Sequence, residues 1–322
     1  MASLVNESGA ALMNKFTPPA RDYSLEYLTI EALEDGCVVS IRNKNCNILP
    51  TFYYSTDGGT TWSSVTAQKS KTVTAVTIDT GETALFKCTQ NSHATGWDNY
   101  NGFQCSKNYK VYGNAMSLIY GDNFTSNSEF ASGTRNNLVA LFREDTHVID
   151  ASNLVFPALT VTGNCHNGMF RDCVNLERAM KVLPATTGND SCYASMFEGC
   201  INLEEAPEIE MVSISSGGSE FKRMFCMSRT TKLTTPKMTK SPVLKALSAP
   251  ANTQYIYEEM FKGNGNLVEV TCLATSLGTD ATKNWLLNCS DTGTFKKAAS
   301  MSSWPSGTSG IPSGWTIEDY VE

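Results

Sequence analysis

The sequence predicts a mainly β protein with short helices, made of an N-terminal arm, a small β-sandwich and a repeat solenoid with a C-terminal cap. Three observations carry this. A self-match displaced by 27 residues runs through the second half of the chain, and short β-branched and aromatic segments precede it. Ser, Thr, Asn and Gly stand where charge would usually be. Of 322 residues, 41% are hydrophobic and 18% charged, against roughly 25% charged in an average soluble chain.

The repeat decides the fold. Cys165-HNG-Met169-Phe170-RD-Cys173-VN-Leu176 aligns with Cys192-YAS-Met196-Phe197-EG-Cys200-IN-Leu203, every position displaced by 27 residues. A third copy begins at Met224-Phe225 and a fourth at Met260-Phe261, where Asn264 takes the Cys place and Leu267 follows; Leu141-Phe142 forms a degenerate first copy. The Met-type positions are spaced 28, 27, 28 and 36 residues apart. A period near 28 with a Leu-centred strand and a short helical or looped turn is what a leucine-rich-repeat solenoid requires, because no single unit can bury its own apolar face. Within a unit, Cys192, Met196, Phe197 and Cys200 are expected to form one inward stripe on a helical turn, and Leu203 to Ile209 to form the strand.

Residues 27–115 read as the β-sandwich, with CVVSIRN, FYYST, TTWSSV, KTVTAVTI and ALFKCTQ as strands. Asp57-Gly58-Gly59 supplies a hairpin turn, and Ser55 to Trp62 matches an Asp-box hairpin, a folding device rather than a catalytic one. Residues 116–275 form the solenoid and 276–322, ending on apolar Trp315, Ile317 and Val321, its cap. Residues 1–26 remain as an arm. Its Leu4, Val5, Leu12, Met13 and Phe16 are too few to bury one another, so the arm needs a partner.

The motifs resemble the BspA-like leucine-rich repeats of surface proteins in gut Bacteroidales bacteria and their phages. The likeness rests on Cys192-Tyr193-x-x-Met196-Phe197-x-Gly199-Cys200 with Leu203, Ala206 and Pro207, on Leu183-Pro184-Ala185-Thr186-Thr187, and on the flanking segments 27–36, 114–124 and 310–316. The resemblance implies a display scaffold for adhesion or host contact, not an enzyme. The opening residues lack the basic and apolar regions of an export signal, and no run of about 18 apolar residues could span a membrane. The expectation is therefore a phage virion structural protein, a head or tail fibre or decoration, assembled in the host cytoplasm. An exported bacterial surface adhesin is the alternative, and a carbohydrate-active enzyme a distant third. By analogy with phage fibres, residues 1–26 are expected to anchor the chain to other virion proteins and to build a homo-oligomer, most simply a trimer.

A formal charge of −7 with dispersed cations argues against nucleic acid as a partner. Eleven Cys, an odd number, cannot all pair within one chain, and buried thiols in ladders explain Cys165, Cys173, Cys192 and Cys200 better than zinc at a spacing of eight. Neither a metal nor a cofactor is expected. Cys165-His166 could pair as nucleophile and base, but the repeat register makes His166 the counterpart of Tyr193, an ordinary core position. Cys88, His93 and Cys105 are too loosely spaced for a metal. The loop from His93 to Phe103 is the strongest binding candidate. Its Trp97, Tyr100 and Phe103 lie among Gly, Asn and Asp, a composition suited to stacking on sugar faces or to a host-surface protein contact; the competing reading has the aromatics plugging the end of the sandwich.

Overall fold

The computed structural model describes residues 21–214, 217–245, 254–278 and 280–321. Nine strands build the first module: β1 (Leu28–Ala32), β2 (Cys37–Lys44), β3 (Thr51–Ser55), β4 (Ser63–Thr66), β5 (Thr72–Ile78), β6 (Thr83–Lys87), β7 (Ala94–Gly96), β8 (Asn99–Cys105) and β9 (Tyr109–Asn114). Their alternating burial, with Cys37, Val39 and Ile41 inward along β2, is what two facing sheets demand. One sheet has the order β5-β2-β8-β7. The other runs β9-β1-β6-β3-β4 and gains a sixth strand, β10 (Val148–Val155), which pairs parallel to β9. Phe52 and Phe86 from this sheet meet Phe103 from the other at ring distances of 5.7 and 4.8 Å. The β3–β4 hairpin closes as its residues predict: Asp57 accepts from the Thr61 amide at 2.9 Å and the Ser55 hydroxyl at 2.7 Å, while Gly58 and Gly59 adopt φ of 71° and 91°. These bonds hold the Asp57 carboxyl down at about 2.

Beyond the sandwich the chain forms a β-solenoid of about five turns. Its strands are short and parallel. β11 (Val182–Leu183) pairs with β13 (Glu208–Ile209) and β12 (Thr187–Gly188) with β14 (Ser213–Ile214). After these, β15 (Lys240–Leu244), β16 (Glu269–Cys272), β17 (Gly293–Lys297) and β18 (Trp315–Asp319) form a four-stranded parallel sheet.

The segments carrying the repeat motif are not helical. Among the described residues the one α-helix is α1 (Ser117–Tyr120), outside the repeats. Each motif instead forms a ribbon of overlapping turns, at 138–145, 165–173, 192–200, 219–228, 255–264 and 280–289. In the third ribbon, Tyr193, Ser195, Phe197 and Gly199 donate their N–H groups to Glu220, Lys222, Met224 and Cys226 of the next ribbon. The alternating Ala194, Met196, Glu198 and Cys200 close turns on the residue three earlier. An α-helix would send every N–H four residues back along its own chain; here half leave for the neighbour, so a lone copy cannot hold this shape. Every fourth residue takes positive φ: Asn164, Gly168 and Asp172 in the second ribbon, Ser191, Ser195 and Gly199 in the third, Asp280, Asn284 and Asn288 in the last. Asn, Asp, Ser and Gly suit those positions because they are the residues that best tolerate left-handed backbone. The strand expected over Leu203 to Ile209 shrinks to Glu208–Ile209, with Leu203 buried at the preceding corner.

Side chains stack accordingly. Phe142, Phe170, Phe197, Phe225 and Phe261 form a ladder with ring separations of 5.2 to 5.8 Å, and Phe103 of β8 extends it by one rung into the sandwich. A second ladder runs through His166, Tyr193, Phe221 and Tyr257. Cys165, Met169, Cys173, Leu176, Cys192, Met196, Cys200, Leu203, Met224, Met260 and Leu267 are all wholly buried beside these rings. Sandwich and solenoid thus share one apolar core. A sixth ribbon, with Trp285, Leu286 and Cys289 in the Met, Phe and Cys places, carries the stacking into the span 276–322 that the sequence reading assigns to a cap. Residues 1–20 of the expected arm lie outside the described residues; 21–26 rest on the sandwich, with the Arg21 guanidinium 4.9 Å from the Tyr112 ring and the Glu26 carbonyl accepting from Asn114.

Candidate functional site

Of the three aromatics expected to bind, the structure separates one from two. β7 and β8 pair as a hairpin in which Gly96 faces Asn99, so Trp97 and Asp98 form its tip. Trp97 is 59% exposed there. Tyr100 and Phe103 lie further down the strand and are buried, Tyr100 against Ala94, Val139 and Ala140 and Phe103 within the ring ladder. They therefore belong to the core, because a ladder rung cannot also meet a ligand.

Trp97 is braced from below. Arg143, at the end of the first ribbon and 7% exposed, donates to the Trp97 carbonyl at 2.9 Å and approaches Asp98 at 3.3 Å. Its guanidinium carbon sits 5.9 Å from the Trp97 ring and 5.5 Å from the Tyr100 ring. Glu144 lies 3.4 Å from the Arg143 Nε and pairs with Arg42 at 2.7 Å. A buried cation is thus committed to fixing an exposed aromatic, which lowers the conformational entropy lost on stacking.

Trp97 forms one wall of a groove of about 320 Å³ that crosses the second, third and fourth ribbons. Ser191, Ala194 and Ser195 are among the small residues that line it, and Arg171, Lys222, Arg223 and Arg229 contribute cationic side chains. Their counter-ions sit deeper: Arg229 pairs with Glu198, Arg223 with Glu259 and Lys222 with Glu258, each at 2.5 Å. Those carboxylates are 6 to 12% exposed, whereas the three cations are 29 to 44% exposed. The groove consequently shows solvent more donors than acceptors.

The other candidates are core residues. Cys165 Sγ lies 3.0 Å from His166 Nδ1, but both are wholly buried among Phe130, Phe156 and Tyr193. Burial pushes the thiol well up and the imidazole down to about 3, so neither group ionises and no substrate reaches them. His93 is buried with Nε2 3.1 Å from the Leu118 carbonyl and is pushed down to about 4 by desolvation. All eleven cysteines are buried as free thiols. Cys173, Cys200 and Cys289 donate to the carbonyls of Phe142, Phe170 and Phe261 in the preceding ribbon, at 3.0, 3.0 and 3.1 Å. Among the described residues no group of three or more His, Cys, Asp or Glu is placed to hold a metal ion. The groove itself went unseen in the sequence because its residues come from four separated segments.

The architecture defines a β-solenoid whose first turn is continuous with a β-sandwich. Comparison with protein-family models, curated proteins and solved structures finds no match to this chain.

Proposed function

We propose that this chain is a non-enzymatic display protein of a phage virion, a fibre or decoration built on BspA-like leucine-rich repeats, that presents its solenoid surface to a host or to the particle. The observation that carries this reading is the continuity of the stack. The Phe ladder, the parallel β9–β10 pairing and the shared core join sandwich and solenoid into one stiff body, suited to holding a contact surface away from an attachment point. The Met-Phe-x-x-Cys pattern supports the repeat family, since each of its positions has a defined place in the ribbon.

The thiols favour the virion over an exported bacterial adhesin. Cys173, Cys200 and Cys289 act as S–H donors, a role that needs reduced sulfur and suits folding in a reducing cytoplasm. In this reading residues 1–26 attach the chain to other virion proteins and gather it into a homo-oligomer, most simply a trimer. Mass spectrometry of purified particles is expected to find the chain as a stoichiometric component. Its absence from particles, with recovery on the bacterial surface instead, would replace the virion reading with the adhesin one. Deleting residues 1–20 is expected to leave a folded monomer that no longer enters particles.

A further inference from the structure

We propose that the groove beside Trp97 binds a saccharide bearing a carboxylate, with the pyranose ring on the Trp97 face and the carboxylate against the guanidinium groups of Arg171 and Arg223. The inference rests on the display reading and names the chemistry its surface would recognise.

Four features lead to it. Trp97 is exposed yet held, through its own carbonyl and through the Arg143 guanidinium beneath it. An aromatic fixed in this way offers a flat apolar face for the C–H side of a sugar ring at little entropic cost. The groove beside it is floored by Ser191, Ala194 and Ser195, and short side chains let a ring approach the backbone. Its volume of about 320 Å³ lies at the lower end of the range for small-molecule sites, which suits one or two sugar rings.

The polarity selects the charge. Glu198, Glu258 and Glu259 are turned inward and ion-paired beneath their more exposed cations, which leaves the cations to face the groove. Arg223 uses its Nε on Glu259, and Arg171 keeps only long contacts of 3.4 and 3.5 Å to Asp172 and Glu198. Guanidinium has five N–H donors in a planar fork, so donors remain for an acceptor of matching shape. A carboxylate is that acceptor, and it bonds bidentately to such a fork. A neutral hydroxyl fills only part of it.

The test is calorimetric titration of the full chain with a glucuronate-containing disaccharide and with the neutral glucose disaccharide of the same linkage. Saturable binding of the acidic sugar, at least about tenfold tighter than the neutral one, is expected, since charge-assisted hydrogen bonds are roughly twice as strong as neutral ones. Trp97→Ala is expected to abolish measurable binding of both sugars, and Trp97→Phe to retain much of it. Arg223→Gln is expected to weaken the acidic sugar far more than the neutral one and so to erase the preference between them. Because Trp97 stands at an exposed hairpin tip, the thermal melt of Trp97→Ala is expected to match the parent and so certify its fold. Equal binding of both sugars, or acidic-sugar binding that survives Trp97→Ala, overturns the proposal; so does no binding at all. Particle incorporation is independent of all these outcomes. A chain present in virions that binds no sugar loses this inference and keeps the display reading, whereas a sugar-binding chain absent from virions does the reverse.

Discussion

Two ribbons of the solenoid carry a carboxylate where the regular repeat carries Cys, and although burial pushes both carboxyls up, the two sites differ in the hydrogen-bond donors they offer. Asp145, in the first ribbon, takes the place of Cys173 and Cys200. Though 1% exposed, it accepts from the Cys105 amide at 2.8 Å, the Tyr109 hydroxyl at 3.1 Å and the His147 amide at 2.9 Å. Glu220, in the fourth ribbon, takes the place of Cys165 and Cys192. It is wholly buried, and neither carboxylate oxygen has a hydrogen-bond partner. The difference follows from backbone accounting. At the junction, strands β8 and β9 of the sandwich leave an amide and a phenol free to donate. In mid-solenoid most ribbon amides are committed to the next ribbon or to their own turns; the Glu220 amide itself eases its carboxyl, but burial prevails. Stacked ribbons tolerate thiols, which need little, and penalise groups that need donors.

The largest expected effect sharpens this contrast through pH. Burial pushes the Glu220 carboxyl from an ordinary 4.5 up to about 7. The folded chain therefore binds this proton more tightly than the unfolded chain. Glu220 leaves stability unaffected below about pH 4.5; its cost grows as pH rises to about 7 and is constant above it, reaching about 3 kcal/mol. Glu220→Cys restores the repeat residue and is expected to remove that slope, raising the denaturation midpoint at pH 8 and leaving it nearly unchanged at pH 4.5. Urea melts at the two pH values measure it. A parent whose stability does not fall between them would show that Glu220 finds a donor.

Asp145→Ala should work in the other direction. It strands the Tyr109 hydroxyl and the Cys105 amide in the core, and the expected loss is about 1 to 3 kcal/mol at pH 7. Asp145→Cys, which restores the regular repeat residue, is expected to destabilise as well, because the junction is built for an acceptor. If Asp145→Cys proved neutral in the same melts, the two carboxylate sites would not differ in kind. The smallest effect concerns the regular slot. Cys200→Ala deletes the S–H donor to the Phe170 carbonyl and a small buried volume, for an expected loss of about 1 kcal/mol. Cys200→Ser keeps a donor while burying a hydroxyl, so the order of the two variants reports how much of the slot is hydrogen bond and how much is packing.

Much of this was legible in the linear chain. Period and motif identified a stacked repeat, because an apolar face that recurs without closing on itself must be buried by its neighbours. The same register marked His166 as a counterpart of Tyr193, and the structure places both in one ring ladder. The form of the repeat was misread, since Met196, Phe197 and Cys200 fit a helical stripe and an overlapping-turn ribbon equally well. A further signal lay in the Asn, Asp, Ser and Gly residues recurring every fourth position, as at Asn164, Gly168 and Asp172. The sixth ribbon escaped because Trp285-Leu286 replaces Met-Phe there.

By itself, then, the sequence determined that this chain stacks repeats behind a β module, because periodic burial is encoded residue by residue. It also determined which side chains line the core, since they recur at fixed offsets whatever the local backbone does. The tertiary structure alone decided where the amides go, and with them whether the motif winds as a helix or lies as turns that need a neighbour. It alone parted Trp97 from Tyr100 and Phe103, three residues of one loop, by putting one at a hairpin tip over Arg143 and the others inside. Composition cannot make that division, because whether an aromatic side chain meets water depends on which distant segments pack against it.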